Sequence, residues 1–296
     1  MQNFLSFDGL INGLVSLIFG LIVLYKDRKN IVNQTLFLLT FAVALWSLSY
    51  WRWLAIYDNG ANALFWSRIL SVGSTFIPVF YLHWILSLLD LNKKKKWLIA
   101  GAYLLAIFFL SFSFSPLFIK SVEAYKDYFA FWPKAGWLYS AYLLLIYFGL
   151  VSYSIFLLLA NYKKSSGLKR SQIKYVLLGS FFGFIGGATN FPLWYDIPVL
   201  PLGNVLVVAF PVVFSYAIIR HRLMDIRFVL RKFSVYLVSI FSVAAIFVPI
   251  RYFLNQLLLN IFSWIDFLIL IAALAAYTPF KNYYYRLSSG APANDK

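Results

Sequence analysis

The sequence predicts an all-α integral membrane protein, a polytopic bundle of about nine transmembrane helices, and three observations predict it. Hydrophobic residues fill 62% of the 296 positions and charged residues only 12%, against about half and about a quarter in a soluble domain. Apolar runs close to the roughly 20 residues that cross about 30 Å of hydrocarbon recur along the chain. The basic residues gather in alternate connections between those runs, which is the positive-inside pattern.

The runs lie at residues 10–25, 31–56, 64–89, 97–118, 137–160, 173–194, 199–219, 233–254 and 261–280. No stretch alternates with a period of two over about ten residues, so a membrane barrel is not expected. Helices are the other way to satisfy backbone groups in lipid. The first run has neither a basic start nor a small-residue cleavage site, and Lys26, Arg28 and Lys29 follow it. It reads as a retained helix with its amino terminus outside. Residues 119–136 form the longest outside loop; with Tyr128, Phe131, Trp132 and Pro133 it is expected to lie at the interface. Residues 255–260 are polar and suit a tight turn between the last two runs. Residues 1–230 thus hold seven helices, 231–287 two more of the same membrane domain, and 288–296 a flexible tail.

Charge tests this layout. With the amino terminus outside, the inner connections carry Lys26, Arg28 and Lys29, then Lys93 to Lys96, then Lys163, Lys164, Lys169, Arg170 and Lys174. Next come Arg220, Arg222, Arg227, Arg231 and Lys232, and finally Lys281, Arg286 and Lys296. These are 20 of the 26 basic residues, so the carboxyl terminus is expected on the cytoplasmic side of the membrane. The net charge of +16 is accounted for by topology and by anionic headgroups. Nucleic acid is not an expected partner. The segment from Arg220 to Lys232 is expected to rest on those headgroups through Arg220, Arg222, Arg227, Arg231 and Lys232.

The absence of cysteine excludes disulfides, thiolate metal sites and cysteine nucleophiles. His83 lies within the third run, while the other histidine, His221, is in a cytoplasmic connection; no metal and no cofactor are expected. Intramembrane ionisable groups are functional candidates, so His83 is either a ligand contact or a neutral packed imidazole. Gly179, Gly183 and Gly187 recur at successive fours, a face where another backbone can approach. Asn190 continues that face and Pro192 ends it, which suits a close helix crossing, or a ligand slot or hinge beside Asn190. Arg52, Arg68 and Arg251 fall near the outer ends of the second, third and eighth runs, at the level of Asp8, Asp58, Asp196 and Asp266. They suit either a polar cluster below an outward cavity for an anionic or amphipathic ligand, or plain snorkelling. Catalysis is not expected. Ser74 and His83 are more than two turns apart, Glu123 is the single glutamate, and no phosphate-binding glycine loop occurs.

Three stretches carry a resemblance. They are Phe65-Trp66-Ser67-Arg68 with Phe76-Ile77-Pro78 and Leu82-His83; Arg170-Ser171-Gln172-Ile173-Lys174-Tyr175 running to Asn190 and Pro192; and Tyr216-Ala217-Ile218-Ile219-Arg220-His221-Arg222-Leu223-Met224-Asp225. Over about Leu10 to Asp225 the succession resembles the amino-terminal seven-helix sensor region of bacterial membrane histidine kinases. The final helices resemble a pair that often follows, and Thr278-Pro279-Phe280-Lys281-Asn282 resembles a lead into a cytoplasmic output. The resemblance implies a sensing, signal-transmitting membrane module without its own kinase domain. His221, in a short basic connection, is not read as a phosphoacceptor. Implied partners are a separate cytoplasmic output protein, a small-molecule or lipid ligand, and a second copy in a homodimer. The alternative is a transporter, or a lipid-interacting subunit of a larger membrane assembly.

Overall fold

A computed structural model describes residues 1–214 and 277–284, with Val235, Ser239 and Ser242 in between. It divides into two units, Met1–Ala217 and Ile218–Lys296. In the second, residues 277–284 are helical and the hydroxyls of Ser242 and Tyr284 lie 2.9 Å apart. The expected eighth and ninth spans, His221, Arg251, the basic run Arg220 to Lys232 and the tail lie outside the described residues, apart from those few positions.

The first unit is a helix bundle. Helix α1 (Gln2–Lys26) and α2 (Ile31–Leu54) form an antiparallel pair. Its 25 residues make α1 about 37 Å long at 1.5 Å per residue, enough to cross a bilayer. Asn30 opens α2 by accepting a hydrogen bond from the Val32 amide at 2.9 Å, and Asn59 caps α3 (Gly60–Leu88) through the Asn62 amide at 2.9 Å. Helix α4 (Lys96–Ser111) stops seven residues before the apolar run does. Pro116 lies in the remainder of the run, and the Ser111 and Ser115 hydroxyls turn back to the carbonyls of Phe108 and Phe112.

The loop expected at residues 119–136 is an antiparallel hairpin, β1 (Ile119–Tyr125) and β2 (Phe129–Ala135), turning where Lys126 adopts φ +47°. A lone hairpin is marginal in water, and this one is anchored on the bundle. Trp132 and Phe129 are buried, Trp132 meets Trp53 edge-on at 4.8 Å, and the Trp53 indole donates to the Phe131 carbonyl at 3.0 Å. Gln2 ties the same corner together: its amide donates to the Leu54 carbonyl at 2.7 Å and accepts from the Ala130 amide at 2.8 Å.

Helix α5 spans Trp137–Lys164 and contains one π-helical stretch, Leu143–Phe148. Helix α6 (Gly167–Ala188) breaks at Thr189 and Asn190 before a single turn, Phe191–Trp194. Helix α7 (Leu202–Phe214) starts as 3₁₀ over Leu202–Val208 and runs along α6. Five helical stretches among the described residues are long and apolar enough to span a membrane, and α4 and α7 are shorter apolar helices.

The two ends of this unit differ in chemistry. One carries the hairpin, Gln2, an ion pair between Lys134 and Asp196, and the Ser140–Tyr195 hydroxyl contact at 2.9 Å. At the other, the Lys169 ammonium donates to the Leu88 carbonyl at 3.0 Å, and Lys95 sits 5.9 Å over the Tyr153 ring. The connections bearing Lys26 to Lys29, Lys93 to Lys96, and Lys163 to Lys174 therefore share one end of the bundle.

Candidate functional site

Pro78 sits in the middle of α3. It has no N–H, so the carbonyl four residues earlier, that of Ser74, loses its helical donor. In lipid such a group needs another partner. The Tyr142 hydroxyl of α5 supplies it at 2.7 Å. One turn on, the Tyr147 hydroxyl donates to the Phe184 carbonyl of α6 at 2.7 Å. In a regular α-helix, residues five apart point about 140° away from each other at 3.6 residues per turn. The π-helical stretch pairs residues five apart instead. It therefore lets both tyrosines face the bundle interior, one gripping α3 and the other α6.

Between them lies a cavity of about 60 Å³. Its walls are Val43 and Trp46 of α2, Ser74 and Ile77 of α3, Tyr142 and Tyr147 of α5, Gly183, Phe184 and Gly187 of α6, and Val207 and Phe210 of α7. A water needs about 10–15 Å³ of such space, so this one accommodates a small apolar group. The glycines of α6 let α7 approach closely beside it. A Cβ on Gly179 would lie 2.5 Å from Phe214, one on Gly183 would lie 3.3 Å from Phe210, and one on Gly186 would lie 2.7 Å from the Gly203 carbonyl. At Gly187 the nearest atom is the Tyr147 hydroxyl at 3.8 Å, so this glycine opens onto the cavity.

Toward the hairpin end, a chain of polar groups ties three elements together. The Asn190 amide donates to the Gly187 carbonyl at 3.0 Å and to Asn204 Oδ1 at 2.9 Å. Asn204, at the start of α7, donates in turn to the Asp8 carboxylate of α1 at 2.8 Å. Asn12, one turn along α1, donates to the same carboxylate oxygen at 3.2 Å. Among the described residues, the single ion pair is Lys134–Asp196, so these amides are the partners the structure gives Asp8.

The residues singled out in the sequence do not form one site. Asn190 lies at the polar end of the cavity, and Gly183 and Gly187 in its wall. Arg52 is exposed. Arg68 is half-buried, and its Nε is buried without a hydrogen-bond partner among the described residues. His83 is half-buried on the α4 side of α3, with Nδ1 2.9 Å from the Tyr103 hydroxyl. Asp8 reaches amides rather than these arginines. Among the described residues, no three His, Asp or Glu side chains come together in a metal-holding group.

Sequence reasoning missed Tyr142, Tyr147, Tyr50, Asn12 and Asn204. The spacing of Asp8 and Asn12, four apart and so on one helix face, was the available signal for that pair. Pro78 marked a carbonyl in need of a donor, and nothing in the sequence named the tyrosine that provides it.

The family described as the N-terminal 7TM region of histidine kinase matches this sequence over residues 10–227. None of the curated proteins and none of the solved structures matches it.

Proposed function

The chain belongs to the family of N-terminal 7TM regions of histidine kinase, and from that premise we propose that it is a membrane sensor whose aromatic cavity converts occupancy into a change of helix packing. The observation that carries this reading is the cavity's construction, since its wall is shared by α2, α3, α5, α6 and α7. A group entering it changes the separation of elements that otherwise touch each other. Two of those elements already depart from regular helix beside it, at the π-helical stretch of α5 and at the Thr189–Asn190 break of α6. Such places are where one hydrogen-bonding arrangement can give way to another. Each 1.4 kcal/mol of differential affinity shifts such an equilibrium by about tenfold, so a modest ligand suffices.

In this reading the chain is non-catalytic and sits in a bacterial inner membrane, with its amino terminus and hairpin outside. The lysine-rich end faces the cytoplasm, where Arg220, Arg222, Arg227, Arg231 and Lys232 engage anionic headgroups. The signal passes there to a histidine-kinase output.

Fusing the chain to the dimerisation and catalytic parts of a membrane histidine kinase tests the proposal. Gly187→Leu places a side chain in the cavity without meeting any backbone, because only the Tyr147 hydroxyl lies within 4 Å of the added Cβ. Autophosphorylation of the fusion should change at least about twofold with this substitution. Equal autophosphorylation in the two fusions, at equal amounts in the membrane, dismisses the sensor reading of the cavity.

A further inference from the structure

A second, smaller void of about 20 Å³ adjoins the cavity, sharing Trp46, Ser74 and Phe191 with it. Its remaining wall includes Trp53, Tyr139, Trp194, Tyr50 and Asn190. Tyr50 is 1% exposed and Asn190 5% exposed, yet Tyr50 Oη and Asn190 Oδ1 have no hydrogen-bond partner among the described residues. Buried polar atoms are almost always paired, so two orphans in the wall of one void require explanation.

The polarity of the amide chain fixes what is missing. The Asp8 carboxylate only accepts, which sets Asn204 with its NH₂ toward Asp8 and its Oδ1 toward Asn190. That oxygen, together with the Gly187 carbonyl, sets Asn190 with its NH₂ toward both. Turning Asn190 over would press its oxygen against two acceptors. The atom left over is therefore an acceptor, and what it lacks is a donor. Among the described residues no basic side chain lies in the wall of either void, and the nearest formal charge along this amide chain is negative. A carboxylate or phosphate head finds no counter-charge here.

We infer that the two voids together form one site for an amphiphile whose apolar body fills the space beside Gly183 and Gly187, and whose hydroxyl or ammonium head donates to Asn190 Oδ1 beside Tyr50. The inference rests on the sensor-cavity reading above and adds the ligand's chemistry to it. Aromatic walls from Trp46, Trp53, Tyr139 and Trp194 suit either an apolar neck or a cationic head.

Trp46 borders both voids and Trp53 and Trp194 border the smaller one, so the part of the tryptophan quenching that Gly187→Leu removes reports on them. The full chain in lipid nanodiscs is titrated with hexanol, hexylamine and hexanoate, each brominated at the far end of the chain. Gly187→Leu protein is run in parallel to remove quenching from bilayer-dissolved probe. The expected result is cavity-specific quenching by the alcohol and the amine at concentrations at least about tenfold below those needed for the carboxylate. Asn190→Leu should abolish that preference. Tyr50→Phe provides a second variant that deletes only a hydroxyl without a partner among the described residues, and should weaken the preference in a protein that folds as before. Equal quenching by all three probes, as expected if a single water occupies the small void, or a preference for the carboxylate, overturns the donor-head assignment and leaves the cavity reading standing. No difference between the parent and Gly187→Leu for any probe overturns both.

Discussion

Replacing Tyr142 by phenylalanine removes a single oxygen atom from a fully buried ring, and that oxygen is the donor to the Ser74 carbonyl. Losing a hydrogen bond typically costs about 0.5–1.5 kcal/mol, and leaving a buried partner unsatisfied costs about 1–3 kcal/mol. Side-chain hydrogen bonds inside membranes average nearer 0.6 kcal/mol because the freed group often finds another partner. Here the usual substitute, the amide of residue 78, is missing because that residue is proline. The cost should therefore exceed the membrane average, at about 1–2 kcal/mol. Pro78→Ala restores an N–H four residues after Ser74 and lets α3 close its own bond. In that background Tyr142→Phe should cost less than about 0.5 kcal/mol. Reversible unfolding in mixed micelles with increasing dodecyl sulfate, measured on the parent, both single variants and the double variant, gives the coupling directly. Additivity of the two substitutions within about 0.5 kcal/mol would refute the reasoning, because distant or unrelated sites add and sites sharing one carbonyl do not.

Gly179→Ala forces a Cβ to 2.5 Å from Phe214 and should destabilise by about 1–3 kcal/mol, whereas Gly101→Ala meets nothing within 4 Å and should be neutral or slightly stabilising; equal unfolding midpoints for the two would contradict the packing. Asp8→Leu removes the oxygen that accepts from both Asn12 and Asn204, leaves both amides without it, and should lower stability by about 1–3 kcal/mol in the same assay; an unchanged midpoint would mean that α1 and α7 are not joined there. Trp53→Phe deletes the indole bond to Phe131 and should speed tryptic cleavage at Lys126 in the hairpin turn severalfold; unaltered cleavage would show that the hairpin is held by other contacts. The chain has no native cysteine, so single cysteines at Lys94 and Lys126 should label from opposite sides of the membrane with an impermeant maleimide. Labelling of both from one side would break the positive-inside assignment.

The helices were legible because their signal is one-dimensional: a run of apolar residues bounded by charge names a span wherever it packs. The seven runs before residue 220 fall on the seven helices, with the largest shift at the start of α1 and the end of α4. The hairpin was hidden by the same logic. Val122, Tyr125, Phe129, Phe131 and Trp132 suit strands, yet in a membrane sequence aromatic residues between spans point first to the interface. The π-helical stretch leaves no mark in Leu143–Phe148, which is apolar throughout and would serve a regular helix equally well. For the site, Asn190 and the α6 glycines could be read from spacing alone. Gly9 and Gly13, also four apart, make comparably close approaches and carried the same spacing signal, whereas Gly73, equally close to its neighbour, stands alone and carried none. Asn204 depends on a contact with Asp8 from 196 positions away, and no local pattern encodes such a partner.

The amide relay from Asn190 through Asn204 to Asp8 has a direction. Each member's orientation is dictated by the next, and the carboxylate at the end dictates them all. Such a set cannot drift one residue at a time. An aspartate in place of Asn204 would set two carboxylates face to face, and a leucine there would cut Asn190 loose from its guide. These three positions should therefore be inherited as a block, kept or exchanged together, while the apolar residues around them vary freely in shape and volume.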